Sequence, residues 1–172
     1  MTMALIRELK GKTPLVGENC WLAETACLIG DVKMGKDCTI WYNAVLRGDV
    51  NVIRIGDKVN IQDNAMVHCT YQQNGTHIGN EVTIGHNAIV HGCTIKDKVL
   101  IGMGAIVMDR VVVGSGSIIA AGAVVKENEI IPPNTLWAGV PAKQVKELDP
   151  DVSLKKLEQL ANNYVMYADW YK

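Results

Sequence analysis

The sequence predicts an all-β protein, a parallel β-helix built from six-residue repeats and closed by one C-terminal α-helix. Three observations predict it. An apolar residue recurs at every sixth position through most of the chain. A glycine often follows it, and a small or β-branched residue commonly stands four places after it. Beyond residue 148 that period stops, and apolar residues fall three and four apart instead.

The ladder begins at Val16 and runs through Leu22, Leu28, Met34, Ile40, Leu46 and Val52. It resumes three residues later at Ile55, Ile61 and Val67, breaks at "HCTYQQNGTH", and returns at Ile78, Ile84 and Val90. One step of five leads to Ile95, then Ile101, Val107, Val113, Ile119, Val125, Ile131 and Trp137. Residues six apart rotate around an α-helix and form no stripe. Short strands joined by tight corners do accommodate them: three hexads close one triangular coil, and coils stack about 4.7–4.9 Å apart. The ladder residue then points into the prism. The glycine behind it, as in "IGDKVN" and "IGHNAI", is expected to take the corner's unusual backbone conformation. Ala65, Val82, Ala88, Ala105, Ser117 and Ala123 supply the small or β-branched position.

The first 148 residues are therefore read as the β-helix and residues 149–172 as the appended helix. Asp149 suits an N-cap and Pro150 the first helical position. Leu154, Leu157, Leu160, Ala161, Tyr164 and Ala168 form its apolar stripe. The sequence leaves open whether it packs on its own prism or on a neighbour's.

Composition agrees. Phe is absent, while 16 Gly and many Val and Ile suit a narrow, repetitive β-structure. A net charge of −1 excludes the clustered basic surface of a nucleic-acid binder. No leader pattern and no run of membrane-spanning length is read, so a cytoplasmic protein is expected. Cys20, Cys27, Cys38, Cys69 and Cys93 are scattered and odd in number, without C-x-x-C. They are expected to be buried thiols.

Three of the four histidines fall within 24 residues: His68, His86 and His91, with His77 apart. His68 follows Val67 and His91 follows Val90, so both take the second position of a hexad. If "YQQNGT" is an excursion, Val90 lies three hexads after Val67, one full coil. The two imidazoles then stack about one strand spacing apart. His86 takes a third position, one side of the triangle earlier, and cannot reach that edge in the same chain. Packing identical prisms around a threefold axis would let His86 of one meet His68 and His91 of the next. Three neutral imidazoles leave a tetrahedral zinc one open position, at which water is made acidic. A histidine at a strand edge is more often a surface or interface group, so spacing alone leaves both readings standing.

The ordered motifs "LRGDVNVIRIG", "NIQDNAMVH", "IGHNAIVHGCTI", "LIGMGAIV" and "LWAGVPAK" extend over nearly the whole chain. In them the chain resembles the gamma-class carbonic anhydrases, in the bacterial branch often labelled hexapeptide-repeat transferases. The resemblance implies a left-handed parallel β-helix of hexapeptide repeats, against the usual crossover hand. It implies a homotrimer holding Zn2+, with Fe2+ or Co2+ also competent, between His68 and His91 of one subunit and His86 of the next. The implied reaction is reversible hydration of CO2 to bicarbonate by metal-bound hydroxide. Arg47 and Asp49 match residues at the subunit seam. Gln62 would hydrogen-bond the bound water or the substrate, with Asn60 beside it. Asp63 would hold Arg47 or a neighbouring donor. Tyr164 matches a tyrosine that points to the pocket from the terminal helix. Arg47, Asp49 and Asp63 also read as an ion-pair network that stabilises the trimer, and Tyr164 as ordinary helix packing.

The chain departs from the best-characterised anhydrases in one loop. Those carry a proton-exporting glutamate between the first two histidines. Here "CTYQQNGTH" has no carboxylate, and none follows before Glu81. Proton export would fall to His77, Tyr71 or buffer. Two alternatives to CO2 hydration remain: hydrolysis or acetyl transfer on a coenzyme A thioester, and a trimer with a structural metal. The last needs a fourth ligand. Cys69 is adjacent to His68 but should face the core, since neighbouring strand residues point to opposite sides.

Overall fold

A computed structural model describes residues 4–172. Ladder residues of successive coils are register partners in parallel strands. On the first face Leu46, Val67, Val90, Val107 and Val125 stack in order. On the second, Ile55, Ile78, Ile95, Val113 and Ile131 do so. On the third, Ile40, Ile61, Ile84, Ile101, Ile119 and Trp137 follow one another. All sixteen are at most 7% exposed. These columns are the core, and they make the fold the β-helix that the six-residue period predicts.

The first and second faces are joined by the long strand Val45–Ile55. Its start pairs with Met66 and Val67, and its end with Thr76–Ile78. Here the ladder needs one correction. Val52 is half-buried, and the residue taken into the core is Ile53, fully buried. The register against Cys27–Met34 shifts between Gly30 and Val32, so the side-chain alternation slips past the six-residue count. The break after Val67 is a true excursion. Thr70 N–H donates to Asn74 O across it, at 3.0 Å, and Val67 and Val90 remain direct partners.

The glycines of the repeat do a different job from the one expected. Gly85 has no left-handed φ; a Cβ there would stand 2.7 Å from Met103 N of the next coil. The left-handed corner falls two residues later, at Asn87 (φ 58°). Asn43, Asn64, Gly104 and Gly122 hold the same position with positive φ in their own coils. Short polar side chains tolerate that conformation, which frees the preceding glycine for close contact between coils.

The helix Pro150–Asp169 starts as predicted, with Asp149 Oδ1 accepting from Asp151 N–H at 2.9 Å. It lies along the third face of its own prism and buries Leu157, Ala161 and Ala168. Lys58 Nζ donates to Asn162 at 3.1 Å and Lys98 Nζ to Glu158 at 2.9 Å. Before the helix the strand Lys143–Glu147 returns antiparallel along Thr135–Ala138. This exposed strand, with one apolar residue in five, carries no alternation that sequence could reveal.

The outward side chains distinguish the faces. The third face is covered by the helix. The second presents Lys33, Arg54, His77 and Thr94 in one column. The first presents Cys27, Val45, Met66, Ile89, Ile106 and Val124, a column without a charge. Two cysteines depart from expectation. Cys38, Cys69 and Cys93 are buried, but Cys20 and Cys27 are half-exposed; Cys27 heads the outward column of the first face, beside buried Leu28.

Candidate metal centre

His68 and His91 are direct register partners at the end of neighbouring strands on the first face. His68 Nδ1 stands 3.1 Å from His91 Nε2. The other nitrogen of each ring meets a carboxylate: His68 Nε2 is 2.9 Å from Asp49 Oδ1, and His91 Nδ1 is 2.9 Å from Asp109 Oδ2. An N–H directed at each carboxylate would fix both tautomers. Two neutral rings held so direct two lone pairs at each other, which is repulsive unless a cation lies between them. Two nitrogens of a tetrahedral zinc site stand about 3.3 Å apart, given Zn–N bonds near 2.0–2.1 Å. The pair therefore fits a divalent metal, and the carboxylates behind it are the usual means of orienting such ligands.

The local fold explains the precision. Thr76, fully buried, donates its hydroxyl to His68 O and accepts from Gly92 N–H at 2.9 Å. It ties together the two coils that carry the histidines. Arg47 pairs with Asp49 along the same corner, and Thr70 Oγ1 donates to Asp109. Burial pushes the Asp109 carboxyl up, but the hydrogen bonds from Thr70 and His91 outweigh it and hold it below the usual carboxylate range. Asp49 follows the same pattern, with His68 and Arg47 outweighing burial.

Asp109 and Thr70 were not among the residues picked from the sequence. Asp109 was within reach, because it takes the third position of the hexad at Val107, one coil beyond His91. Thr70 lies in the excursion, where phase arithmetic has no purchase.

His86 occupies the opposite corner of the first face, between the third face and the first. Its Nδ1 is 2.7 Å from Asp63 Oδ2, which leaves Nε2 as the nitrogen for a ligand. Asp63 thus takes the neighbouring donor rather than Arg47, which stands at the other corner. Gln62 is 5% exposed. Its Oε1 accepts from His86 N–H at 3.2 Å, and its Nε2 donates to Asn60 Oδ1 at 3.0 Å. Asn60 in turn donates to Thr83 Oγ1 at 2.8 Å. Asn60 is fully enclosed and supports Gln62 from behind. Tyr164 shares with Gln62 and His86 a largely apolar cleft of about 420 Å³ between the helix and the third face. Burial raises its hydroxyl pKa.

Among the described residues, no set of three His, Cys, Asp or Glu side chains of one chain converges as a metal site requires. One prism carries two half-sites: His68 and His91 at one edge of the first face, His86 at the other. Cys69 faces inward, its Sγ 3.3 Å from Asn51 O, with burial raising its pKa. His77 stands on the second face beside Arg54, away from both half-sites.

Residues 92–127 match the family described as bacterial transferase hexapeptide (six repeats). The chain is 48% identical to a protein of Methanocaldococcus jannaschii named probable carbonic anhydrase, over 90% of this chain and 96% of that one. It is 44% identical to gamma carbonic anhydrase 2, mitochondrial, of Arabidopsis thaliana over 91% of its length, but spans only 58% of that longer relative. Among solved structures it superimposes on a hexapeptide transferase family protein from Anaplasma phagocytophilum with a TM-score of 0.92. Those two are 40% identical, and the match covers 98% of each.

Proposed function

The chain belongs to the gamma carbonic anhydrase family, and from that premise we propose that it hydrates CO2 reversibly to bicarbonate at a divalent metal shared between copies of itself. The observation that carries this reading is the His68–His91 pair, two ring nitrogens 3.1 Å apart with a carboxylate behind each ring. His86, backed by Asp63, repeats the device at the far edge of the same face. Between the two half-sites runs the uncharged column from Cys27 to Val124, with Ile89 38% exposed. An apolar face of this kind favours burial against another copy. Threefold closure brings the His86 edge of one prism to the His68–His91 edge of the next, at three equivalent interfaces.

His68 and His91 of one copy and His86 of the next would hold the metal, which when bound would supply the Lewis acidity that makes water a nucleophile near neutral pH. The chain does the rest. Asp49, Asp109 and Asp63 hold each ring in the tautomer that presents a lone pair. Gln62 keeps one N–H and one lone pair beyond its bonds to Asn60 and His86, and these orient the oxygen nucleophile or the product. Tyr164 closes the wall of the cleft. The excursion that replaces the acidic loop carries no carboxylate, so turnover should depend on buffer concentration.

A second reading has one observation in its favour. The cleft beside His86 is far larger than CO2 requires and is lined mainly by apolar groups such as Met103, Ile118 and Leu160. Such a cleft suits the acyl chain of a thioester attacked by the same nucleophile. Acetyl transfer is less favoured, since it needs a free histidine base.

Metal content tests the shared site. Protein purified without added metal should hold about one ion per chain, and His86→Ala and His68→Ala should each hold none. Co-expressed, the two variants should regain about one quarter of the sites, because only an interface joining the intact halves of each works. Full occupancy in His86→Ala would sink the shared site. CO2 hydration and thioester hydrolysis, assayed on the loaded sample, separate the two chemistries.

A further inference from the structure

The corner that carries His86 also carries two walls of aromatic rings. One wall lies on the helix, where Tyr164, Tyr167 and Trp170 follow at three-residue spacing with ring centroids 5.4 and 5.0 Å apart. The other is built by Trp41, Tyr42 and Tyr171, with Tyr171 centred 5.6 Å from Trp41 and 6.2 Å from Tyr42. Trp21 braces this second wall from the prism side, 4.8 Å from Trp41 and 5.2 Å from Tyr171. The walls meet where Tyr164 packs edge-on against Trp41, centroids 5.5 Å apart; beside that contact opens a cleft of about 250 Å³, and Asp63 and His86 complete its lining.

Three features of this cleft point to one kind of ligand. Its surface is dominated by aromatic faces, which carry negative potential. Among its described lining residues there is no lysine or arginine, and its one formal charge apart from the imidazole is the Asp63 carboxylate. Two of its rings stay open to solvent, Trp170 at 71% and Tyr171 at 54% exposed, so they are not simply core. CO2 needs no such wall.

We propose that this cleft binds an organic cation of the methylated-ammonium class, with the head group between the two aromatic walls and Asp63 as counter-charge. A fully methylated, quaternary head cannot donate the hydrogen bonds by which lysine-like ammonium ions are held in water. Ring faces within about 6 Å are its natural partners. Glu24 adds to the negative field: burial first, then Glu24, Tyr171 and Asp63, raise the Tyr42 hydroxyl above its usual value. The site adjoins His86 but requires neither metal nor CO2 hydration, so it stands or falls separately from the proposed reaction.

The test is titration of the full-length protein with choline, followed by tryptophan fluorescence and calorimetry. The control ligand is 3,3-dimethylbutan-1-ol, the same shape without the charge. Saturable choline binding is expected, with the neutral analogue about tenfold weaker. Trp170→Leu, which keeps apolar area but removes the π face, and Tyr171→Ala should each weaken choline about tenfold. Both positions are exposed enough to leave folding intact, which a melting curve verifies. Equal affinity for the neutral analogue would overturn the proposal and leave an apolar cleft. Absence of saturation at tens of millimolar choline, or binding indifferent to both substitutions, would also overturn it.

Discussion

Asp109 stands behind His91 as Asp49 stands behind His68, each carboxylate 2.9 Å from the ring nitrogen that faces away from the other imidazole. This symmetry makes Asp109 a sharp probe of the pair. Asp109→Asn still offers an oxygen to His91 Nδ1–H, so the ring should keep its place while losing the charge that strengthens it as a ligand. Zinc affinity, measured against a competing chelator, should fall about 10–100-fold with the melting temperature of the metal-free protein nearly unchanged. Unchanged affinity would mean that the Asp109 charge does not strengthen His91 as a ligand.

The helix tests how much the third face depends on its cover. Leu157 is buried and borders the same cleft as Leu100 and Ile118. Leu157→Ala should cost about 2–3 kcal/mol, the low end for such truncations because space already adjoins the site. Urea unfolding measures it. Glu158→Ala removes only the exposed contact to Lys98 and should leave the midpoint where it was. If both variants behave alike, the helix is not packed as described.

These outcomes bear on what the sequence could reveal. The stacking of His68 on His91 follows from counting hexads, because buried Val67 and Val90 lock the register on which both histidines ride. His86 falls at the other corner by the same count. The count fails at Val52, where a register shift at Gly30 to Val32 exchanges it for Ile53. It also gives no sign of the aromatic walls. Tyr171 lies some 130 residues from Trp41 and Tyr42 in sequence and meets them only because the helix runs back along the third face. Asp109 obeys the count and was overlooked for a chemical reason: a carboxylate one coil beyond a histidine stands out only once that histidine is suspected as a ligand.

Two neighbouring glycines should respond in opposite ways. At Gly102 a Cβ would stand 2.5 Å from Ala121 N of the next coil. Gly102→Ala must therefore spread the coils and should cost about 3 kcal/mol or more. At Gly104, with φ 66°, nothing lies within 4 Å of a Cβ. Asn43, Asn64 and Asn87 already fill the corresponding corner in earlier coils. Gly104→Asn should thus change stability by no more than about 0.5 kcal/mol. Chemical denaturation of the pair decides whether close contact or left-handed backbone governs each position.

The cysteines should separate by reactivity. Cys38 draws the Cys20 thiol down to about 7 against the effect of burial, through its side chain first and through its backbone N–H, which donates to Cys20 Sγ at 3.3 Å. The Cys38 thiol moves the opposite way, raised by the same contact and by burial. Burial pushes Cys93 up to about 12. The thiolate is the nucleophile, so the reactive fraction at Cys20 grows as pH rises through 7 and is mostly present by pH 8. Iodoacetamide should therefore label Cys20 first, with a rate half-maximal near pH 7, while Cys38 and Cys93 stay unmodified until the protein unfolds. Peptide mass spectrometry across a pH series reads each site. Cys20→Ser should abolish the fast phase, and Cys38→Ala, which removes the neighbouring thiol but keeps the backbone N–H, should move its midpoint to higher pH. A Cys20 midpoint that ignores Cys38→Ala would show that the stacked pair does not set its acidity.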